Sequence, residues 1–538
     1  MHLRQTNIEK LKNTSFDVLI IGGGINGAVS AASLSAKGAK VALIDKYDFA
    51  AITSQESSNL AWGGIKYLES FEFFLVNNLC KCRNHLIKNY PSTVREIRFF
   101  TTIQKGFKYP VFVIWLGTWL YFFFGRLFTK APRFLTRKQI QKEEPIIEIS
   151  NVAGGFEYSD AYLHDNDARF VFNFIRSALN YGCIATNYVS SLGSTIENDG
   201  GWVTKAKNEI SGEQFTIKSK VIINATGPFA DTVNQLSHQT TKHHLVLSKG
   251  IHLIIDQLTK TKKVLTFFAS DGRLFFVIPM GRRTCVGTTD TRVNTPNQKV
   301  TDEDISFVLN NINSFLKKEK PITTSDIIAT RCGVRPLVIK GTTTKEMDWV
   351  KLSRKHVVET NNQDKYLTIF GGKLTDCLNV GDEVSKIVSK MGIVLKHPHY
   401  KWYGEPDEKV RMDFFHRARL LDLDSYTSKD SSEKLSSRLW RRYGSTAFRL
   451  LEWIQEDPKQ AEVLIKGTEY LRCELQEAAQ REMVIKLEDF LRRRSKISLI
   501  ERPEFIQKSI GLKDACEILF EDQAEEKIKE YFKNQPID

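Results

Sequence analysis

No Cys-x-x-Cys pair and no His/Cys spacing of the kind that holds zinc occurs in the chain; its eight cysteines are scattered, with only Cys80-Lys81-Cys82 close together. A metal site and a disulfide scaffold are therefore not expected, and reduced cytoplasmic thiols are the default. Met1 to Ser15 is polar and lacks an apolar signal core, so export through a cleaved signal is not expected. There is no Pro, Gln or Ser tract and no repeat, and 41% apolar against 26% charged residues reads as globular rather than disordered. The apolar, aromatic stretch Val111 to Phe124 (VFVIWLGTWLYFFF) falls short of the ~20 residues a helix needs to cross a bilayer. Its length suits either a helix lying in one leaflet or a buried core helix.

Basic residues are in excess: 77 Lys and Arg against 63 Asp and Glu give +14, which favours acidic substrates, anionic lipid or nucleic acid. A nucleic-acid surface needs clustered Lys/Arg with interleaved aromatics, and the only conspicuous run is Arg492-Arg493-Arg494. Nucleic acid is accordingly not an expected partner, and a flavin-containing nucleic-acid binder is the remote alternative.

With 538 residues, roughly two to four domains are expected. Phe16 to Ile21 (FDVLII) reads as a buried strand, followed at once by Gly22-Gly23-Gly24-Ile25-Asn26-Gly27 and a small-residue helix pattern. Lys40 to Asp45 (KVALID) is a second parallel strand ending in an acid. Val221 to Asn224 runs into Gly227, and Tyr366 to Phe370 runs into Gly371-Gly372-Lys373. Three strand-to-glycine junctions this far apart predict one nucleotide-binding sheet assembled from separated segments. The fold class is thus α/β: a Rossmann-like domain from 15–100, 150–240 and 330–395, and an antiparallel-sheet substrate domain from 101–149 and 241–329. Beyond the linker at His397 to Pro406, Glu, Lys, Arg and Leu at helical spacing predict a C-terminal helical domain, 400–538.

In the G-x-G-x-x-G turn, Gly22 permits the tight bend, Gly24 lets backbone reach a pyrophosphate and Gly27 lets helix and strand pack. The helix N-terminus attracts the negative charge, and Asp45 would accept ribose hydroxyls. NAD and FAD both fit so far. The next segment, Phe49 to Leu68 (FAAITSQESSNLAWGGIKYL), is too rich in Ser, Thr and Gly for an ordinary helix and suits wrapping a second cofactor portion.

From IGGGINGA through TS..SSNL.WGGIKYLE the sequence resembles the FAD-dependent glycerol-3-phosphate dehydrogenase family, within the D-amino-acid-oxidase-like flavoproteins. Later blocks agree in order, among them GFEYSD at 155–160, NATGP at 224–228, Lys249-Gly250 with His252, GVRPL at 333–337, FGGKLT at 370–375, LWRRYGS at 439–445 and FLRRRSK at 490–496. The resemblance implies FAD as cofactor and oxidation of sn-glycerol 3-phosphate to dihydroxyacetone phosphate, with electrons passed to a quinone or another acceptor. It also implies that Gly22, Gly24, Asn26, Gly27, Asp45, Lys46, Thr53, Ser54, Ser58, Asn59, Leu60, Gly63, Gly64, Val189, Gly227 and Gly371 to Thr375 hold the cofactor. Arg335 would grip a phosphate, Lys373 would sit beside flavin and substrate, Tyr67 and Lys66 would line the pocket, and His252 is a candidate proton acceptor. The alternative readings are Arg335 as a structural ion-pair residue, His252 as a hydrogen-bonded core residue and Arg169 as a helix anchor.

The sequence departs from the family at Trp62, where histidine is usual, and at Lys66, where arginine is. After FGGKLT stand Asp376, Cys377 and Leu378 in place of a threonine, a tyrosine and an arginine, and the segment His164 to Asp167 is slightly long. Another polar alcohol, hydroxy acid or amine is therefore the alternative substrate. The apolar run and basic balance point to the cytoplasmic membrane surface as a partner. Whether the chain forms a homo-oligomer stays open.

Overall fold

The computed structural model describes residues 3–269, 272–341, 355–429 and 431–533. Residues 342–354 of the third cofactor-binding segment and 534–538 of the C-terminal domain lie outside these.

The predicted sheet forms from the predicted strands. Ser15–Ile21 runs parallel between Val41–Ile44 and Gln214–Asn224, and Gln214–Asn224 pairs in parallel with Tyr366–Phe370. These strands are apolar on both faces because helices cover the sheet; Ile25–Ala36, Asp167–Asn180 and Cys377–Lys390 pack together over it. Parallel pairing puts the carboxyl ends of all these strands at one sheet edge, where the three glycine junctions follow.

The second sheet is mainly antiparallel, as expected. Toward one end of it His243–Asp256 pairs with Ala329–Lys340 over twelve residues and with Arg283–Gly287. Strand pairing also brings Val94–Gln104 and Val152–Leu163 into this layer, which therefore takes in more chain than 101–149 and 241–329. Pairing partner, not position along the chain, decides the layer: the strand carrying GVRPL is held by the strand carrying Lys249-Gly250-Ile251-His252.

Among the described residues from 408 to 533, every named element is helical. Buried ion pairs hold this part to the cofactor sheet. Asp48, fully buried after the second strand, receives Arg493 at 2.7 Å and Arg494 at 2.8 and 2.9 Å, and accepts from Asn187 at 2.8 Å. Arg169 pairs with Glu482 at 2.7 Å and so anchors a helix. The slightly long segment before Asp167 supplies Asp165, which takes both Arg441 and Arg442, and Asn166, which accepts from the Ala168 amide and donates to the carbonyls of Arg492 and Ser495.

These pairs correct one alternative. Arg492, Arg493 and Arg494 are buried at 7%, 2% and 1% exposure, so the one arginine run is an internal clamp and not a nucleic-acid surface. All eight cysteines are free thiols.

Removing one carboxylate from such a cluster leaves guanidinium charge buried without compensation. Asp48→Asn is expected to cost about 3–5 kcal/mol, lowering the urea midpoint and exposing the C-terminal helices to proteolysis first; an unchanged midpoint would show that the clamp contributes nothing.

Candidate cofactor and substrate site

At the carboxyl edge of the parallel sheet lies a cleft of about 430 Å³ lined by all three glycine junctions. Gly22 has φ +106°, and a Cβ there would stand 2.6 Å from the Ala225 carbonyl oxygen, while one at Gly27 would collide with the Gly22 carbonyl. Strand, turn and helix are thus in backbone contact, which only glycine allows. The turn is fastened by side chains as well. The Gly23 amide donates to Asp45 at 2.6 Å, and the Ile25 amide, in the first turn of its helix, donates to Ser54 at 3.0 Å.

Asp45 is half-buried beside the cleft and also accepts from the Tyr47 amide at 2.8 Å. Burial pushes its carboxyl up to about 7, against the pull of those two amides. Each carboxylate oxygen keeps acceptor capacity for a hydroxyl. Asn26 donates to the Gly371 carbonyl at 2.9 Å, and its Oδ1 has no partner among the described residues. A buried acceptor left open next to the Gly371-Gly372 turn is what a hydroxyl- or amide-bearing ligand would satisfy. Glycine cradle, carboxylate and open acceptor together fit a dinucleotide such as FAD.

Of the expected cofactor residues, Gly22, Gly24, Asn26, Asp45, Lys46, Thr53, Ser54, Val189, Gly227, Gly371 and Gly372 line the cleft. Gly27 lies behind it as a packing contact. Thr53 binds the Val334 carbonyl at 2.7 Å, tying the Ser/Thr-rich segment to the strand of GVRPL. Asn59 is turned inward: its φ is +58°, it donates to the Asp165 carbonyl at 2.9 Å and it accepts from Arg331 at 3.0 Å. Ser58 and Leu60 likewise do not line the cleft, because the chain here enters the short strand Leu60–Ala61 of the second sheet.

Gly63, Gly64, Lys373, Leu374 and Thr375 form a second group outside the cleft lining. The Thr375 hydroxyl donates to the Trp62 carbonyl at 3.3 Å, and the Lys373 ammonium stands 4.2 Å over the Tyr67 ring. Trp62 lies 6.2 Å from the same ring. The two expected pocket residues from the second and last motifs, Tyr67 and Lys373, are thus brought together; Lys66, in the same short turn, is exposed and is not brought to the cleft. The turn Ile65–Leu68 spends its inward direction on Tyr67, so its neighbour faces out.

Arg335 packs its guanidinium where a side chain at Gly250 would be, which explains that glycine, and donates to Thr288 Oγ1 at 3.0 Å. It lies 3.5 Å from Asp290. His252 sits on the neighbouring strand opposite Arg331. It is 3% exposed, its Nδ1 has no partner among the described residues, and burial followed by the charges of Arg331 and Arg335 lowers it to about 3. The imidazole is therefore neutral at working pH.

Arg331 went unread in the sequence. It is buried, donates to the Ser57 carbonyl and pairs with Asp167 at 3.3 Å, holding the Ser/Thr-rich segment against the second sheet. The signal was available: residues 331 and 335 share a strand face at even spacing.

A family model described as FAD dependent oxidoreductase matches residues 17–355, and one described as the C-terminal domain of alpha-glycerophosphate oxidase matches 412–508. The chain is 29% identical to the aerobic glycerol-3-phosphate dehydrogenase of Bacillus subtilis (strain 168), over 84% of this chain and 82% of that one. It is 30% identical to the mitochondrial glycerol-3-phosphate dehydrogenase of Bos taurus, over 71% of this chain and 54% of that one. The solved glycerol-3-phosphate dehydrogenase from Bacillus halodurans, complexed with FAD, shares the fold: TM-score 0.74 at 23% identity, covering 99% of this chain and 97% of that one.

Ribose hydroxyls donate best to an ionised Asp45, so cofactor binding should favour the carboxylate. With the carboxyl near 7, FAD affinity of the apoprotein is expected to rise about tenfold between pH 6 and pH 8. Titrating apoprotein with FAD fluorescence checks this; Asp45→Asn should bind more weakly and without that slope, and a slope kept in Asp45→Asn would sink the assignment.

Proposed function

The chain belongs to the FAD dependent oxidoreductase family, with FAD as its cofactor, and from that premise we propose that it oxidises sn-glycerol 3-phosphate to dihydroxyacetone phosphate. One observation carries the reading. Pro336 and Gly371 approach each other at the cleft, and the cations Arg335 and Lys373 stand one and two residues from that contact. Two cations beside the reacting end of a flavin site suit a small phosphorylated alcohol. The names of the relatives point the same way.

FAD, when bound, supplies the hydride acceptor. The protein's own residues bind and orient. Arg335 offers a planar fork to the phosphate, and Lys373, steadied on the Tyr67 ring, offers a point charge. His252 is the proton acceptor for the alcohol. Neutral imidazole is the protonation state that role requires; burial is the main cause of its low basicity, and a phosphate dianion beside Arg335 would offset only the smaller part that comes from Arg331 and Arg335. Aromatic walls from Trp62 and Tyr67 exclude water.

The apolar segment Val111–Phe124 is a helix, and of its residues only Thr118 and Tyr121 are buried, so it is not a core helix. Phe112 and Phe123 are 56% and 59% exposed, and Phe71, in the turn before the helix Phe73–Asn89, and Phe74, in that helix's first turn, are 77% and 88% exposed and extend the apolar surface beyond the run Val111–Phe124. Phe73 and Phe124 join the two parts, with ring centres 6.1 Å apart. No helix among the described residues is long and apolar enough to cross a membrane. The patch suits insertion into the cytoplasmic membrane face, with the exposed Lys108, Arg126 and Lys130 that flank the helix meeting anionic lipid. A quinone dissolved in that membrane is the electron acceptor this placement favours.

Anaerobic mixing with a panel of alcohols, hydroxy acids and amines tests the substrate: sn-glycerol 3-phosphate should bleach the flavin, and reduction by another compound but not by it would replace the reading. Arg335→Lys is expected to lower kcat/KM about 10–100-fold, the loss of one charge-assisted hydrogen bond. For the membrane, Phe74→Asp with Phe123→Asp should abolish flotation with anionic vesicles at unchanged thermal midpoint; wild-type protein that never floats would refute the attachment.

A further inference from the structure

Tyr121 is one of only two buried residues on the apolar helix Val111–Phe124. Its hydroxyl donates to Asp160 Oδ2 at 2.6 Å. The same fully buried carboxylate accepts the Gly63 amide, at 3.0 Å on Oδ1 and 3.2 Å on Oδ2, and lies 3.5 Å from Arg83. Contact between helix and turn is also steric: the Tyr121 hydroxyl fills the place of a Cβ at Gly63. Next in the chain, Gly64 has φ +79°, and the Tyr67 ring stands 2.6 Å from where its Cβ would be. From Tyr121 to the Lys373 ammonium over Tyr67 there is therefore an unbroken path of packed atoms: hydroxyl, carboxylate, glycine turn, ring.

A buried carboxylate with three donors around it is costly to rearrange, because any donor withdrawn leaves an acceptor unsatisfied in a dry site. We infer that Tyr121, through Asp160, is a positioning residue that fixes the Gly63-Gly64 turn and so sets Tyr67 against Lys373 at the substrate end of the flavin site. The apolar helix is then not only a surface element; its inner face is the backing of the substrate wall. Thr375, donating to the Trp62 carbonyl, braces the same wall from the other side. The inference rests on the reading that Tyr67 and Lys373 line the substrate pocket.

Tyr121→Phe keeps the ring and deletes the one donor. In the FAD-loaded protein without substrate, hydrogen exchange in the peptide covering 62–68 is expected to speed up about tenfold, with the strands Ser15–Ile21 and Gln214–Asn224 unchanged. With sn-glycerol 3-phosphate, kcat/KM should fall about tenfold, since small displacements of orienting groups are expensive. The Tyr67→Ala background separates positioning from general loosening: there Tyr121→Phe should change kcat/KM less than twofold. Unchanged exchange at 62–68, or a full tenfold effect persisting without the Tyr67 ring, would overturn the inference. If the wild-type flavin is not reduced by sn-glycerol 3-phosphate, the substrate reading fails while the exchange measurement still decides the role of Tyr121. Asp160→Asn, equal in shape, provides a second variant with the same expected exchange.

Discussion

The parallel register of Ser15–Ile21 between Val41–Ile44 and Gln214–Asn224 is the constraint on which the rest of the structure depends. Ile21 lies opposite both Ile44 and Asn224, and Asn224 opposite Thr368. That alignment brings Gly22, Asp45, Gly227 and Gly371 to one edge although they come from distant parts of the chain. A slip of register along any of these strands would withdraw one wall of the cleft. Backbone meets backbone at two of the glycines, Gly22 against Ala225 and Gly27 against Gly22, while Gly371, at φ +63°, leaves room for the Val338 side chain.

Charge buried in pairs does for the C-terminal helices what the register does for the sheet. Asp48 and Asp165 leave the cofactor-binding segments to meet Arg493, Arg494, Arg441 and Arg442. Such pairs are weak as net stabilisers but demanding as positional devices, since each partner is costly when left alone. These four arginines are turned inward and are not offered to an acidic partner.

What could be read in the sequence was what is local. A strand, three glycines and an acid at the next strand end are a short-range pattern, and the cleft forms where that pattern put it. The composition of Val111 to Phe124 likewise announced an apolar helix. Long-range placement was less legible. Asn59, in a run suited to cofactor contact, instead pins Asp165 and Arg331, and Lys66 faces out because Tyr67 takes the inward direction. Arg331 stands two residues before the GVRPL motif that carries Arg335. Phe71 stands alone between Ser70 and Glu72 and Phe74 belongs to the short run Phe73 to Val76, and only tertiary structure sets them beside the helix Val111–Phe124. For Asn59, Arg331 and the two phenylalanines the deciding partner lies far along the chain, where periodicity carries no information.

A structure of the FAD-loaded protein tests the central claim most directly, namely that separated segments make one flavin site with its substrate end at Arg335 and Lys373. The account predicts the pyrophosphate on the Gly22 to Gly27 turn, the ribose at Asp45, and the flavin ring between the Gly63-Gly64 and Gly371 to Thr375 turns with Arg335 on its exposed side. A flavin ring directed away from Arg335 and Lys373, or cofactor density in the crevice between Phe170, Tyr400 and Tyr443 instead, would contradict it.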